Sequence, residues 1–337
     1  MTRIEKLQTT GIRRLGTPKR GFRYITAAGG PPSAADLQRI ESLVLPPAWK
    51  DAAVNASPSA SLQAIGRDAA GRWQYRYSEE HERRRERKKG RRLVEFAQAL
   101  PQMRRTVERD LRKPDLDREK VMACILRILS TCFLRPGSQV YAAENGSYGI
   151  ATLRNRHVSV KGDVIRYDFP GKSGKRQVLE FRDRRVARII RQLKRLPGGE
   201  LFKYRDTDGN VVDVKRRHIN QYIKEVMGER FTAKDFRTWA GTLLCACALA
   251  RVGVDAADSR AARKRKVVAA IRDTATILGN TPAVCRKSYI YSSVLESFDR
   301  GRTIAHNFAT VEELVARRRG LHAAEREVLR LLKRRAA

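Results

Sequence analysis

The residues best able to do chemistry lie in Leu278-Gly279-Asn280-Thr281-Pro282-Ala283-Val284-Cys285-Arg286-Lys287-Ser288-Tyr289. Thr281 is a suitable helix N-cap and Pro282 a suitable first helical residue, so the spacing predicts Tyr289 about two turns into a new helix, with Gly279 ending the helix before it. Arg286 and Lys287 give this phenol a cationic setting, in which tyrosine can serve as a nucleophile toward phosphate. Taken alone, the segment also reads as a helix corner with a surface tyrosine. Four other residues are candidates of the same kind. Arg135 follows a helical run in Leu134-Arg135-Pro136-Gly137, Lys172 sits at the tip of an expected β-hairpin, Arg237 opens a helix in Lys234-Asp235-Phe236-Arg237-Thr238, and Asn280 lies nine residues before Tyr289. Each has a plain structural explanation: ion-pair partner, solvated lysine, turn asparagine.

Charge decides what such groups would act on. The chain of 337 residues carries 71 Lys and Arg against 36 Asp and Glu, a net charge of +35. Nucleic acid is the expected partner of such a surplus, because neutralising phosphates releases counterions. Acidic membranes are disfavoured, since no long apolar run or N-terminal signal segment is present, and the expectation is a soluble intracellular protein. The five cysteines include no CxxC pair and read as reduced core thiols, while five histidines leave little material for a metal site or a serine-histidine triad. No metal or cofactor is expected.

The elements that must position these residues are legible in outline. Turn formers and short β-like runs such as Trp73-Gln74-Tyr75-Arg76-Tyr77 predict a small β-rich N-terminal domain over residues 1–78. Residues 79–92 are almost entirely charged and read as a connector, either a solvated face or a phosphate-gripping strap. From residue 93 to 337 the pattern is mainly helical, with apolar spacings of three and four over 93–111, 121–133, 186–196, 219–227, 235–252, 262–278 and 321–332. A β interlude is expected at 150–153, 158–160, 164–169 and 177–181, with Gly171-Lys172-Ser173-Gly174 as a tight turn. The fold class is therefore α+β, a β-rich domain followed by a mainly α-helical domain containing a hairpin sheet.

In this order, the motifs resemble those of the type IB DNA topoisomerases, in particular the compact poxvirus and bacterial branch. The resemblance rests on Gly66-Arg67-Asp68, Gly71-Arg72-Trp73-Gln74-Tyr75-Arg76-Tyr77, Leu134-Arg135-Pro136-Gly137, Glu144-Asn145-Gly146-Ser147-Tyr148-Gly149, Thr152-Leu153-Arg154-Asn155-Arg156-His157, Phe169-Pro170-Gly171-Lys172-Ser173-Gly174-Lys175, Lys234 to Thr238, and the Tyr289 segment. It implies the catalytic fold shared with tyrosine recombinases, two domains closing on double-stranded DNA, and a monomer, since one tyrosine cuts one strand. It further implies that Tyr289 forms a 3′-phosphotyrosyl link, that Arg135 and Arg237 hold the nonbridging oxygens, and that Lys172 protonates the leaving 5′-oxygen. Asn280 stands where poxvirus members carry histidine; its amide can donate to a phosphate oxygen without bringing charge. Among DNA contacts the resemblance implies Arg67, Gln74, Tyr75 and Tyr77, with Lys175 and Lys234 either secondary contacts or spectators. The expected location is the cytoplasm, at the nucleoid.

Two other readings use the same residues. A tyrosine recombinase shares the nucleophile, paired arginines and hairpin lysine, but usually carries histidine three residues before the second arginine, where this chain has Lys234. A basic DNA-compacting protein is explained by net charge alone and gives Tyr289 no role. An ATPase is disfavoured: Gly171-Lys172-Ser173 resembles the end of a phosphate-binding loop, yet the required upstream glycine position holds Arg166.

Overall fold

The computed structural model describes residues 1–336 apart from 256, 307, 309, 311, 312 and 314–319. It divides into two units, Met1–Lys88 and Lys89–Ala337.

The first unit is an antiparallel sheet flanked by two short helices. Helix α1 (Arg3–Thr10) precedes strands β1 (Ile12–Thr17) and β2 (Gly21–Ile25); α2 (Ala34–Ser42) precedes β3 (Lys50–Val54), β4 (Leu62–Arg67) and β5 (Trp73–Tyr77). The strand order is β2-β1-β3-β4-β5. Period-two alternation splits its apolar residues between two small cores: Ile12, Val54 and Ala64 pack with Ile40 of α2, while Ala53 and Ile65 pack with Leu7 of α1. Leu7 and Ile40 are the only buried residues of their helices, which is why apolar periodicity did not announce α1 and α2. Local capping starts them instead, through Thr2 with Glu5 and through Ser33.

Residues 79–92 lie within a single helix, α3 (Glu79–Asp110), of 32 residues. Its first turns expose only charge and are held by i,i+4 pairs, Arg83 with Glu79 and Arg84 with Glu80. Burial begins at Gly90 and Leu93, so the apolar pattern began where the core begins rather than where the helix does.

The second unit is mainly helical. After α3 come α4 (Arg118–Cys132), α5 (Gln139–Asn145), strands β6 (Val158–Lys161), β7 (Val164–Pro170) and β8 (Arg176–Arg182), and α6 (Arg184–Leu193). A small hairpin of β9 (Lys203–Arg205) and β10 (Val211–Asp213) leads to α7 (Arg216–Met227), α8 (Ala233–Val252), α9 (Arg260–Ile277), α10 (Pro282–Ser288), α11 (Ser292–Asp299) and α12 (Ala323–Ala336). Strands β6, β7 and β8 form a three-stranded antiparallel sheet. Helices α4 and α8 are buried along most of their length, and the rest of the unit wraps them.

One expected strand is corrected. Residues Ile150–Thr152 form a 3₁₀ turn, because the amides of Ile150 and Ala151 bond the carbonyls of Arg135 and Pro136 and that of Thr152 bonds Gly149. The run is apolar because it is buried beneath a loop, not because it joins the sheet. All five cysteines are free; Cys132 is half-buried and the others are buried.

Candidate active site

Helix α4 ends at Phe133, whose φ of 53° turns the chain out of the helix and sends Leu134-Arg135-Pro136-Gly137 back across it. The return is fixed by Gly149. A Cβ there would lie 2.5 Å from the Gly137 nitrogen and 2.6 Å from the Arg135 carbonyl oxygen, so only glycine lets the two segments cross. The amides of Ile150 and Ala151 then bond the Arg135 and Pro136 carbonyls, each at 2.9 Å. The Tyr148-Gly149 end of the motif thus frames the Arg135 loop. From there the Arg135 guanidinium donates to the Gly279 carbonyl at 3.0 Å and to Asn280 Oδ1.

Arg237 comes from the second turn of α8, whose N-terminus is closed by the Asp235 carboxylate, which accepts from the Thr232 amide at 2.8 Å and the Thr232 hydroxyl at 3.0 Å. It is 3% exposed. Its Nη1 donates to the Phe133 carbonyl and its Nη2 to the Leu278 carbonyl at 2.7 Å. The guanidinium carbon lies 4.8 Å from the centre of the Tyr289 ring. Backbone carbonyls at two chain reversals therefore hold both arginines beside the phenol.

Tyr289 is the C-cap of α10 rather than a residue inside it. The helix stops because the Cys285 carbonyl takes both the ordinary four-residue bond from the Tyr289 amide, at 2.9 Å, and a five-residue bond from the Ile290 amide, at 3.1 Å, which widens the last turn. Its position against α8 requires Gly241, where a Cβ would come within 2.9 Å of Tyr289 Cβ and O. Thr242 Oγ1 donates to the Tyr289 carbonyl and accepts from the Tyr291 amide, both at 3.2 Å. The two tyrosines separate completely: Tyr291 is 5% exposed and packs against Gly90, while Tyr289 is half-buried beside the arginines.

The electrostatics follow from this packing. Burial pushes the Tyr289 phenol up, but the charge and hydrogen bond of Arg237, with the charges of Arg135 and Lys234, outweigh it and bring the phenol below its ordinary value. Burial and then the neighbouring Arg237 bring Arg135 down. Among the described residues, Arg237 Nε and Asn280 Nδ2 are buried donors with no acceptor. Two such donors beside paired guanidiniums make a socket suited to an oxyanion.

The hairpin reaches the same place. Phe169 pairs with Gln177 and Pro170 with Arg176, and the turn is closed by Gly171 N to Lys175 O at 2.8 Å, with Ser173 and Gly174 at φ of 62° and 72°. A cleft is lined by Arg135, Arg237, Phe169, Gly171 and Gln177. Glycine is favoured at 279 because its φ of 60° is one that L side chains rarely adopt, and the absence of a Cβ lets Gln177 Oε1 come close. Lys172 sits next to Gly171, exposed, with no hydrogen bond or ion pair among the described residues. Lys175 is exposed on the same turn, and Lys234 is exposed on the first turn of α8.

The remaining candidates belong to the sheet of the first unit. Arg67 stacks on Trp73, 4.7 Å from the ring centre, and pairs with Asp51 at 3.5 Å. Gln74 donates to Asp68 Oδ2 at 2.9 Å. Tyr75 and Tyr77 share one face of β5, their rings stacked 6.3 Å apart, as alternation predicts. Sequence reasoning missed His81, stacked 4.7 Å from Tyr77, and Arg85, 5.7 Å above the same ring. Their spacing of four on a helix was the available signal. It missed Gln177, Gly241 and Thr242 as well, whose roles depend on what crosses them.

Residues 78–313 match the family described as eukaryotic DNA topoisomerase I, catalytic core, and residues 21–68 match the bacterial DNA topoisomerase IB N-terminal domain. DNA topoisomerase 1B of Acanthamoeba polyphaga mimivirus is 37% identical over 268 residues, covering 78% of this chain and 80% of the viral protein. DNA topoisomerase 1B of vaccinia virus (strain Copenhagen) and DNA topoisomerase I of monkeypox virus are each 24% identical over 233 residues, 69% of this chain and 71% of the relative. With a family match over most of its length and a relative this similar across most of both chains, the chain belongs to the type IB DNA topoisomerases.

Proposed function

We propose that Tyr289 is the nucleophile of a reversible strand-transfer reaction on duplex DNA. The phenol oxygen bonds to the scissile phosphorus, and the bond to the 5′-oxygen breaks. The products are a 3′-phosphotyrosyl link and a 5′-hydroxyl. Rotation of the free end relieves supercoils, and attack by the hydroxyl restores the diester and releases Tyr289. One phosphoester replaces another at each step, so the reaction needs neither ATP nor a metal.

Arg135 and Arg237 neutralise the nonbridging oxygens as negative charge builds in the transition state. Asn280 orients Arg135 through its Oδ1 and offers Nδ2 to the phosphate. Lys172 delivers a proton to the leaving oxygen from the hairpin tip. The observation that carries this reading is the convergence of one buried and one half-buried guanidinium, Arg237 and Arg135, on one half-buried phenol, with two buried donors left unsatisfied among the described residues.

Arg67, Gln74, Tyr75 and Tyr77 are read as DNA contacts of the first unit, and Lys175 and Lys234 as further contacts beside the phosphate. The three-stranded hairpin sheet, the Arg135 loop after α4, the Arg237 helix and the Tyr289 C-cap of α10 support a catalytic fold like that of tyrosine recombinases. A monomer acting at the bacterial nucleoid, in the cytoplasm, completes the reading.

The test is relaxation of supercoiled plasmid with EDTA and without ATP. The native chain relaxes it, whereas Tyr289→Phe binds DNA with native affinity and relaxes none. Undiminished relaxation by that variant overturns the assignment.

A further inference from the structure

Helix α3 packs Phe96 against Phe236 and Trp239 of α8, and one turn earlier it meets both catalytic segments through residues of three different kinds. Lys89 Nζ donates to the carbonyl oxygen of Ile290, the residue after Tyr289, at 2.7 Å. Gly90 lies under the Tyr291 ring; a Cβ on it would stand 2.3 Å from Tyr291 Oη and 2.6 Å from Cζ. Arg92 forms a two-pronged ion pair with Asp235, both bonds at 2.6 Å. Asp235 is 7% exposed and also closes the start of α8 through the Thr232 amide at 2.8 Å, two residues before Arg237. Glycine weakens a helix interior relative to alanine, so its presence at 90 calls for a reason, and the close approach of Tyr291 supplies one.

We propose that Lys89, Gly90 and Arg92 are positioning residues that fix the Tyr289 segment and the Arg237 helix to one rigid turn of α3, setting the distance between phenol and guanidinium. None of the three needs to touch the reacting atoms. Apart from its seat against Gly241 and Thr242 of α8, Tyr289 is held as the C-cap of a helix of seven residues, an element too short to define its own position. The arginine, in contrast, projects from a long buried helix. A two-pronged pair on one side and a backbone bond plus a ring seated on glycine on the other give α3 a grip on both. Because in-line attack is sensitive to displacements of about 1 Å, a small shift at Gly90 acts on rate far more than on binding.

This inference rests on Tyr289 being the nucleophile, and the experiment separates the two. Full-length Gly90→Ala, Arg92→Met, Arg92→Lys and Tyr289→Phe are mixed with supercoiled plasmid, and covalent protein-DNA complex is trapped with detergent during the first turnover across a range of pH. DNA affinity and melting temperature are measured on the same samples. Gly90→Ala and Arg92→Met are expected to slow covalent-complex formation at least about tenfold with DNA affinity within about twofold of native. Arg92→Lys, which keeps the charge but not the fork, is expected to fall between. The pH of half-maximal rate moves upward in the slow variants, since a phenol displaced from Arg237 loses its nearest cation; a mere loss of folded protein lowers the amplitude and leaves that midpoint in place. Native rate and native midpoint in Gly90→Ala and Arg92→Met overturn the inference, as does a loss of cleavage matched by the loss of DNA affinity. Covalent complex with Tyr289→Phe overturns the nucleophile reading instead.

Discussion

The Arg237 guanidinium and the Lys172 ammonium face the same proposed reaction from opposite structural conditions. Arg237 is 3% exposed, bonded to the carbonyls of Phe133 and Leu278, and stacked near the Tyr289 ring. Lys172 stands exposed on a turn with no partner among the described residues. A group that stabilises charge gains from being fixed before the reaction, since it then costs no reorganisation when charge develops. A group that transfers a proton must reach a leaving oxygen that becomes basic only as its bond breaks, and a long side chain on an exposed tip allows that. The contrast separates preorganised electrostatics from delivered acid.

The largest expected effect lies at the fixed end. Arg237→Ala should lower the relaxation rate by about 10³-fold. It should also lower the melting temperature, because the Phe133 and Leu278 carbonyls lose a buried donor at about 1–3 kcal/mol each. A variant that melts like the native protein would show that Arg237 is not a structural clasp. Lys172→Ala should slow cleavage by about 10²-fold with no change in melting. Substituting sulfur for the bridging 5′-oxygen should restore Lys172→Ala but not Arg237→Ala, because a thiolate leaves without protonation. Failure of that rescue would remove the distinction between the two cations.

Asn280→Ala tests a smaller term. Its Oδ1 accepts from Arg135 and its Nδ2 has no acceptor among the described residues, so removal should cost about tenfold in cleavage rate, consistent with the loss of one or two hydrogen bonds. A histidine at 280, set beside two guanidiniums, is mostly neutral at neutral pH and brings no charge, so Asn280→His should not accelerate cleavage there. A several-fold gain there would show that added charge outweighs the orientation of Arg135.

The smallest effect is a titration. Tyr289 is held below the ordinary phenol value because Arg237, Arg135 and Lys234 together overcome its burial. The native state therefore gains stability from the ionised phenol only toward alkaline pH. That gain is fully present above the unfolded value and is lost as pH falls through the folded one. Arg135→Ala leaves burial acting against fewer cations and should move the Tyr289 ultraviolet titration upward, read as the difference from Tyr289→Phe. An unmoved titration would mean that Arg237 alone sets the phenol.

Much of this was readable from residue type and order. Apolar spacings located α4, α6, α7, α8, α9 and the three-stranded sheet to within a few residues, because those elements carry their own buried face. Elements held by other means were less visible. The first turns of α3 depend on Arg-Glu pairs, α1 and α2 each bury one side chain, and Ile150–Thr152 bonds to a loop. The candidate residues were likewise named by their motifs. Gln177 and Gly241 were not, since nothing in their local sequence reveals that Gly279 or Tyr289 lies against them.

The sequence by itself determined the chemistry available: a phenol, two guanidiniums, an ammonium and an amide on a strongly basic chain, together with the order of elements bearing them. Those follow from composition and short-range periodicity. Tertiary structure decided which groups meet and which stay apart. Tyr289 and Tyr291 are two residues apart, yet one lies beside Arg237 and the other over Gly90. The reason is physical: approach between segments more than 40 residues apart, such as Arg237 and Leu278, is set by helix packing and by glycines that admit a neighbouring backbone. Neither leaves a periodic trace in the chain.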